Sequence, residues 1–370
     1  MLKLKVLSII LLAAMVLSAC SAPAAPTATT APEASEAPQA AAATEAPAAN
    51  SQAGETPVKL GFVVHVTGAA IMSIIEQGAK DAAAQYGVEL TYTGPAQTDS
   101  TAQIAMFDTL INSGVNGIVV IASDPSVWTE PIQRAVDKGI VVLVTDTDAP
   151  DSARTAFFGV DSEALGKMLG ENVRSELEAN GKLDAAKIVL GVCVIGPESH
   201  VLREKGFRSA FEGDNVTFVG PVETVCDTTQ NYANWQNAYT ANQDAAAFVG
   251  LTAVETPSLG KLKEEVGGDF LVASFDPDSE ALRQMSNGNI SVAVGQNVYL
   301  AGYLPTQALA RHFKEGLEIN PGVNLYNGEL DLAADAQTLM DRESDAAART
   351  AWYANYITEN SLNNFGLVVK

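Results

Sequence analysis

The polar residues best placed for chemistry follow directly after apolar runs of strand length. In chain order, these residues are His65, Thr67, Asp124, Asp146, Asp148, Arg203, Asp227, Asp276 and Gln296. Carboxylates accept hydrogen bonds, a guanidinium donates them and an amide does both. The set can therefore pair with both the donors and the acceptors of a polar ligand. Two carboxylates such as Asp146 and Asp276 can also work as an acid and base pair. The pattern therefore predicts a ligand site and leaves a carboxylate-dependent cleft hydrolase as an alternative.

The sequence lacks the motifs of several catalytic classes. It contains no His-Glu-x-x-His motif, no Gly-x-Ser-x-Gly elbow and no Gly-x-x-x-x-Gly-Lys-Ser/Thr phosphate loop. Three histidines in 370 residues leave little scope for general-base chemistry, and no cluster of Cys and His suits zinc. We therefore predict a binding protein that is not an enzyme and uses neither a cofactor nor a metal.

The elements that must position these residues alternate between strands and helices. The stretch Val58–Leu90 begins with an apolar strand, continues into a helix with one apolar face, and reaches a glycine C-cap at Gly87. The same unit recurs along the chain, and the series restarts near Lys187. Such alternation is typical of parallel sheets that are covered by helices through right-handed crossovers.

We predict an α/β fold of two similar doubly wound parallel-sheet lobes, joined by a multi-strand hinge. Lobe 1 comprises residues 57–159 plus about 297–335, lobe 2 comprises residues 160–296, and residues 336–370 form a helical tail that we assign to neither lobe. A strand is expected over Gly322–Asp331. A TIM barrel is the alternative, although the restart and the strand count disfavour it. Because ligands bind beyond the carboxyl ends of parallel strands, two facing lobes would form a cleft there.

The N-terminus resembles that of a bacterial lipoprotein. Lys3 and Lys5 precede an apolar stretch that ends in Leu-Ser-Ala-Cys at Cys20. This lipobox-like sequence implies that residues 1–20 contain a signal peptide and that the Cys20 thiol becomes lipidated; an ordinary secretory signal with an incidental cysteine is the alternative. Residues 21–56 are nearly all Ala, Pro, Thr, Ser and Glu, so we predict a disordered tether.

Charge and cysteine content narrow the environment and the partners. A net charge of −22 disfavours binding to nucleic acid or to anionic lipid surfaces. Cys193 and Cys226 lie near the ends of two consecutive predicted strands. In an exported protein they can form a disulfide, and two free buried cysteines are an equally acceptable interpretation.

The order of the motifs resembles that of the type I periplasmic sugar-binding proteins, the ribose- and galactose-binding relatives that supply ABC transporters. The resemblance extends from about Val58 to about Gly316. Its matching stretches are VKLGFVVH, GVNGIVVIASDP, KGIVVLVTDTDAP, FFGVDSEALGKMLGE, Arg203-x-x-Gly206-Phe207, Ser274-Phe275-Asp276 and GQNVYLAGYLP. The resemblance implies two lobes that close on a ligand by hinge motion.

The resemblance also implies roles for individual residues. Asp146 and Asp276 match carboxylates that accept hydrogen bonds from ligand hydroxyls. Arg203 matches a guanidinium that donates from lobe 2, and Gln296 matches an amide near the hinge. Other candidates also have an interpretation that does not involve a ligand. Asp124 is suited to a turn or an N-cap, and Asp148 can be a charged loop residue in contact with solvent. His65 is equally suited to ligand binding and to local hydrogen bonding.

Two features depart from the family pattern. The first loop, Val66–Met72, contains no aromatic residue that can stack on a sugar ring. Ala253–Glu255 occupies the place where the family often has Asn-Asp. Four aromatic residues elsewhere are alternative stacking platforms, although helix packing is the favoured interpretation for each; they are Trp128, Tyr232, Trp235 and Tyr299.

Together these features predict an extracytoplasmic solute-binding lipoprotein, monomeric and anchored to the cell membrane. The expected ligand is a small polyhydroxylated molecule, a monosaccharide or a cyclic polyol, which is delivered to the permease of an ABC importer. The alternative among binding proteins is a ligand sensor that signals to a chemoreceptor or a kinase.

Overall fold

The computed structural model describes residues 57–68, 70–122 and 124–369. The predicted signal peptide, the lipidation site Cys20 and the predicted tether lie outside the described residues. In the first part of the chain, the elements are β1 (Lys59–Val63), α1 (Ala70–Tyr86), β2 (Glu89–Thr93), α2 (Ser100–Ser113), β3 (Gly117–Val120), α3 (Thr129–Val136), β4 (Val141–Thr145) and β5 (Ala156–Val160).

The second series of strands begins at Lys187, as predicted, and one helix precedes it. This part of the chain contains α4 (Ser162–Ala179), β6 (Lys187–Val192), α5 (Glu198–Ser209), β7 (Thr217–Glu223), α6 (Thr228–Ala241), β8 (Ala247–Gly250), α7 (Glu255–Val266), β9 (Leu271–Phe275), α8 (Ser279–Ser286) and β10 (Val292–Gly295). The chain ends with α9 (Val298–Glu315), β11 (Glu318–Ile319), β12 (Gly322–Tyr326), β13 (Glu329–Leu332), α10 (Ala336–Glu343), α11 (Ala346–Glu359) and β14 (Leu367–Val368).

Twelve of the strands form two six-stranded sheets, which we call lobe 1 and lobe 2 together with their covering helices, and β11 and β14 form a separate two-stranded sheet. Lobe 1 has the order β12-β5-β4-β3-β1-β2, with every neighbouring pair parallel. Lobe 2 has the order β13-β10-β9-β8-β6-β7, parallel except for the antiparallel pair of β13 and β10. Apolar clusters cover both faces of each sheet. The predicted two-lobed α/β fold is confirmed, and the TIM barrel is wrong.

The prediction of one strand over Gly322–Asp331 is wrong, because the chain crosses between the lobes within it. β12 joins the edge of the lobe 1 sheet, whereas β13 joins the lobe 2 sheet, although we expected this segment in lobe 1. The break falls at Asn-Gly, a dipeptide that favours turns. A Cβ at Gly328 would lie 2.2 Å from Leu165 Cδ2 and 2.8 Å from the Gly295 carbonyl oxygen, so the crossing requires glycine.

The C-terminal tail contacts both lobes. α10 packs against α8 of lobe 2, whereas α11 contacts α1 of lobe 1 and β14 pairs with β11. Side-chain hydrogen bonds fix α11, since Gln77 Nε2 donates to Thr350 Oγ1 at 2.9 Å and Thr350 Oγ1 donates to Asp81 Oδ2 at 2.6 Å. Within the described part of the chain, no helix has both the length and the apolar character needed to cross a membrane.

Each lobe contains one closely packed helix pair, and glycine permits the contact in both. In lobe 1, a Cβ on Gly302 of α9 would lie 1.9 Å from the Ile75 carbonyl oxygen of α1. In lobe 2, a Cβ on Gly166 of α4 would lie 2.0 Å from the Arg203 carbonyl oxygen of α5. The position of Arg203 therefore depends on the absence of a side chain at Gly166.

We expect Gly166→Ala to lower the free energy of unfolding by about 1–3 kcal/mol, because the added methyl group forces α5 away from α4. Urea denaturation measures this loss. Lys167→Ala on the exposed side of α4 is the control, where loss of a surface ion pair should change stability by less than about 1 kcal/mol. Equal stability of Gly166→Ala and the wild type would contradict the close packing.

Candidate functional site

Asp146 and Asp276 occupy equivalent positions in the two lobes. Each is the first residue after its strand, β4 or β9, and each has left-handed backbone geometry, with φ of 62° and 48°. The Asp146 N–H donates to the Phe158 carbonyl at 3.2 Å, and the Asp276 N–H donates to the Val294 carbonyl at 2.9 Å. Non-glycine residues rarely adopt this conformation. The neighbouring strands therefore hold both carboxylates in a fixed, costly orientation.

Arg203 of lobe 2 interacts electrostatically with both of these carboxylates. Its side chain is on α5 and is only 5% exposed. Nη1 donates to the Leu251 carbonyl at 3.1 Å, and the guanidinium lies 4.4 Å from the centroid of the Phe275 ring. Buried Nε has no hydrogen-bond partner among the described residues. A desolvated donor without an acceptor is costly, so this atom is suited to bind an oxygen of a ligand.

The electrostatics of the site link the two lobes. Burial lowers the pKa of Arg203, and Asp276, Asp146 and Glu255 oppose that change. Desolvation by the surrounding protein raises the pKa of Asp146, although part of this side chain stays accessible to solvent. Burial likewise raises the pKa of Asp276, while Arg203 acts to lower it. One buried cation therefore balances carboxylates from both lobes.

Gln296 holds Asp276 in place. Its backbone N–H donates to Asp276 Oδ1 at 2.8 Å, and its side-chain amide donates to Oδ2. Both oxygens of Asp276 thus have one donor each, and every carboxylate oxygen can accept a further hydrogen bond. Gln296 therefore orients the carboxylate that the sequence analysis assigned to the ligand.

His65 lies at the end of β1, near Asp146. Burial lowers the pKa of its imidazole, and Asp146 partly opposes this. Buried Nδ1 has no hydrogen-bond partner in the described part of the chain. Thr67 is exposed, and its hydroxyl donates to the Pro95 carbonyl at 3.3 Å. His65 therefore joins the cluster of Asp146 and Arg203, whereas Thr67 forms a local loop contact.

The structure gives three of the predicted site residues local partners instead. Asp148 forms a two-point ion pair with Arg154, with N–O distances of 2.5 and 2.7 Å. Asp124 accepts hydrogen bonds from the backbone N–H of Ser126 at 3.0 Å and from its hydroxyl at 2.7 Å. Asp227 caps the N-terminus of α6. These carboxylates stabilise turns and helix ends and are not brought into the cluster.

The aromatic residues considered as stacking platforms serve helix packing. Trp128 and Trp235 are fully buried in separate cores. Tyr299 stacks on Tyr353, with ring centroids 4.2 Å apart, and the Tyr232 hydroxyl donates to Glu265. The favoured interpretation of these residues is confirmed.

The sequence analysis missed two residues near the cluster. Glu255 is fully buried; it accepts hydrogen bonds from Thr224 Oγ1 at 2.7 Å and from the Thr252 N–H at 3.0 Å. Tyr326 is buried where the chain leaves lobe 1, and burial together with Asp146 raises its pKa well above 10. The departure from the family pattern at Ala253–Glu255 was a signal for Glu255. No sequence signal identifies Tyr326, because its position depends on where the chain crosses from lobe 1 to lobe 2.

A disulfide joins Cys193 and Cys226, with their Cα atoms 4.7 Å apart. It connects the segments that follow β6 and the neighbouring strand β7, so the disulfide interpretation of the sequence is correct and two free cysteines are not present. Over residues 57–68, 70–122 and 124–369, no group of three or more His, Cys, Asp or Glu is arranged to hold a metal ion.

A family model described as a periplasmic binding protein domain matches residues 60–317. The chain belongs to this family. The resemblance noted from the sequence motifs is thereby confirmed. Residues 318–370, which include β12, β13 and the C-terminal tail, lie beyond the match.

Relatives and solved structures agree with this assignment. The chain is 23% identical over 276 residues to the xylose/arabinose-binding protein XylF of Sulfolobus acidocaldarius, covering 70% of this chain and 67% of the relative. It is 24% identical over 236 residues to the ribose import binding protein RbsB of Bacillus subtilis, covering 63% and 74%. The glucose-galactose binding protein GanP of Geobacillus stearothermophilus has a similar fold, with a TM-score of 0.65, 23% identity and coverage of 76% and 99%.

Proposed function

We propose that this periplasmic binding protein is an extracytoplasmic solute receptor that captures a small polyhydroxylated ligand for an ABC importer. The expected ligand is a monosaccharide or a cyclic polyol. The observation that carries the proposal is Arg203, a buried guanidinium that interacts with carboxylates from both lobes and whose Nε has no partner in the described part of the chain. The similar proteins described above are named as binders of xylose and arabinose, of ribose, and of glucose and galactose, and this supports a sugar as the ligand.

The chemistry of the cluster suits adjacent hydroxyl groups. Each hydroxyl donates one hydrogen bond and accepts others. Asp146 and Asp276 would accept from the ligand, and Arg203 Nε would donate to it. Because the acceptors belong to different lobes, a bound ligand would stabilise the closed arrangement of the lobes, which the permease would recognise.

The cellular setting of the proposal rests on the sequence. The lipobox-like motif at Cys20 supports lipidation, and residues 21–56 would tether the body to the outer side of the cell membrane. The protein would act as a monomer, in contact with its ligand and with the transporter permease. Lobe 1 would comprise residues 57–159 together with α9 and β12, and lobe 2 residues 160–296 together with β13.

A thermal-shift screen against pentoses, hexoses, cyclic polyols and amino acids tests the proposal. A ligand at a hundredfold excess over its Kd should stabilise the protein by about 2.7 kcal/mol, because it binds only the folded state. The ligand should then be recovered chemically unchanged, which separates binding from hydrolysis. Stabilisation by amino acids but by no sugar or polyol would contradict the proposal.

Ligand binding should weaken as the pH falls. The pKa values of Asp146 and Asp276 are raised above the usual 3.8. Hydroxyl donors favour the ionised carboxylates, so binding is strongest above these raised values and is lost as protonation proceeds below them. The empty protein has the opposite dependence, since these two groups favour folding at low pH. Calorimetric titrations from pH 7 to pH 4 measure the affinity.

Asp124→Asn is the control for this pH series, because Asp124 is exposed and caps a turn outside the cluster. It should retain the wild-type profile. An affinity that stays constant down to pH 4 in the wild type would mean that the ligand does not bind the ionised carboxylates.

A further inference from the structure

A cavity of about 390 Å³ lies beside the cluster of Asp146, Arg203 and Asp276. Asp276 and its hydrogen-bond partner Gln296 line this cavity, which extends between α1 and the C-terminal tail. Its size lies in the range of small-molecule sites. Part of its wall comes from residues beyond the family match, namely Asp331, Arg342, Arg349 and Tyr353.

The arginines of this wall are already paired. Arg342 Nη1 lies 2.6 Å from Glu329 Oε2, and Arg342 Nε lies 2.7 Å from Glu343 Oε1. Arg349 Nη2 lies 2.6 Å from Glu343 Oε2, and its Nη1 donates to Gln77 Oε1 at 2.6 Å. Two glutamates therefore pair with the two cations, and the Arg342 charge acts on Asp331 only as an electrostatic effect that lowers its pKa, without a hydrogen bond.

Asp331 is the acid without a partner. It lies on β13, lines the cavity and is 1% exposed, and neither carboxyl oxygen has a hydrogen-bond partner among the described residues. Burial and the nearby Glu329 raise its pKa to about 8. A buried carboxyl without a donor is costly, whether it is charged or neutral. A donor supplied by a ligand would remove part of this cost.

We infer that the cavity is a second compartment of the ligand site. In it, Asp331 accepts a hydrogen bond from a hydroxyl group of a second sugar ring or from the ammonium group of an amino sugar. Ile71, Ile74, Val298 and Tyr353 line the same cavity and provide an apolar surface for the carbon skeleton. This inference rests on the proposed function, because the first sugar ring would bind at Asp146, Arg203 and Asp276. The ligand would then be a disaccharide or an amino sugar.

Calorimetric titration of the wild type tests the inference. The probes are xylose, glucose and galactose, each compared with a disaccharide or amino sugar derived from it: xylobiose, cellobiose, lactose, glucosamine and galactosamine. At least one extended probe should bind at least tenfold more tightly than its parent. A gain confined to disaccharides identifies a hydroxyl as the donor, and a gain confined to amino sugars identifies an ammonium group.

Asp331→Ala removes the acceptor, so it should reduce that gain to less than twofold and leave the affinity for the parent sugar unchanged. Ile74→Trp fills the cavity from α1 and should have the same effect. It provides an independent test if the first variant does not fold. Asp341→Ala, on the exposed side of α10, is the matched control and should behave as the wild type.

Two results would overturn this inference and leave the proposed function intact. In the first, the parent sugars bind as tightly as every extended probe. In the second, the gain in affinity is retained in both cavity variants. Failure of every sugar and cyclic polyol to bind the wild type would overturn both proposals.

Discussion

Replacing Arg203 by glutamine should reduce ligand affinity by at least a hundredfold and destabilise the empty protein. Arg203 supplies a fixed cation that donates hydrogen bonds, and its buried Nε has no partner among the described residues. Its loss also leaves Asp146 and Asp276, whose charges repel each other, without the cation that offsets them. Removing one member of a buried ionic group costs about 3–5 kcal/mol. Titration calorimetry measures the affinity, and urea denaturation measures the stability.

Arg208→Gln is the matched control for this variant. Arg208 lies on the same helix, 33% exposed, and pairs with Glu204 at 2.8 Å. Loss of such a partly exposed pair should cost about 1 kcal/mol or less and leave affinity unchanged. If Arg203→Gln bound the ligand as the wild type does, the assignment of the site to this cluster would be wrong.

The fold was predictable because its signals are local. Buried parallel strands are short apolar runs, and their covering helices carry one apolar face, so alternation is readable from neighbouring residues. The limits of α2, Ser100–Ser113, follow from an Asp99 N-cap and a left-handed Gly114, both visible in the sequence. Asp146, Asp276 and Arg203 were also accessible to this reasoning, since strand ends and motif order identify them.

The rest of the site depends on contacts between distant parts of the chain. Asp148 and Asp146 are equivalent by sequence pattern, yet only Asp148 meets Arg154, because the following turn brings that arginine back. Gln296 donates hydrogen bonds to Asp276, which its position in the sequence alone does not indicate. The division of Gly322–Asp331 between two sheets follows from close packing at Gly328, and it decides where Tyr326 and Asp331 lie.

The tail shows how residues outside the family match alter a shared fold. The pairs that link Glu329, Arg342, Glu343 and Arg349 connect a strand of lobe 2 with both tail helices. Arg349 then reaches Gln77 on α1 of lobe 1. Any opening of the lobes must stretch or rearrange this chain of partly buried contacts, so the tail contributes to the free-energy difference between open and closed states.

Removing the disulfide should have the second large effect, and it should act on stability. Cys193 and Cys226 are 33 positions apart, and a crosslink that closes a loop of this length stabilises a protein by about 3–4 kcal/mol, mainly by restricting the unfolded chain. The variant Cys193→Ser/Cys226→Ser should lose that amount in urea denaturation. It should also respond more weakly to dithiothreitol than the wild type, because it has no bond to reduce.

Ligand affinity separates this effect from that of Arg203. The bond lies after β6 and β7, whereas Asp146, Arg203 and Asp276 are held by β4, α5 and β9. At a temperature where the variant is folded, its affinity should therefore stay within about threefold of the wild type, a difference of roughly 0.65 kcal/mol. An unchanged urea midpoint after reduction of the wild type would show that the two strand ends are held by packing alone. A large loss of affinity with full stability would instead place the bond within the binding mechanism.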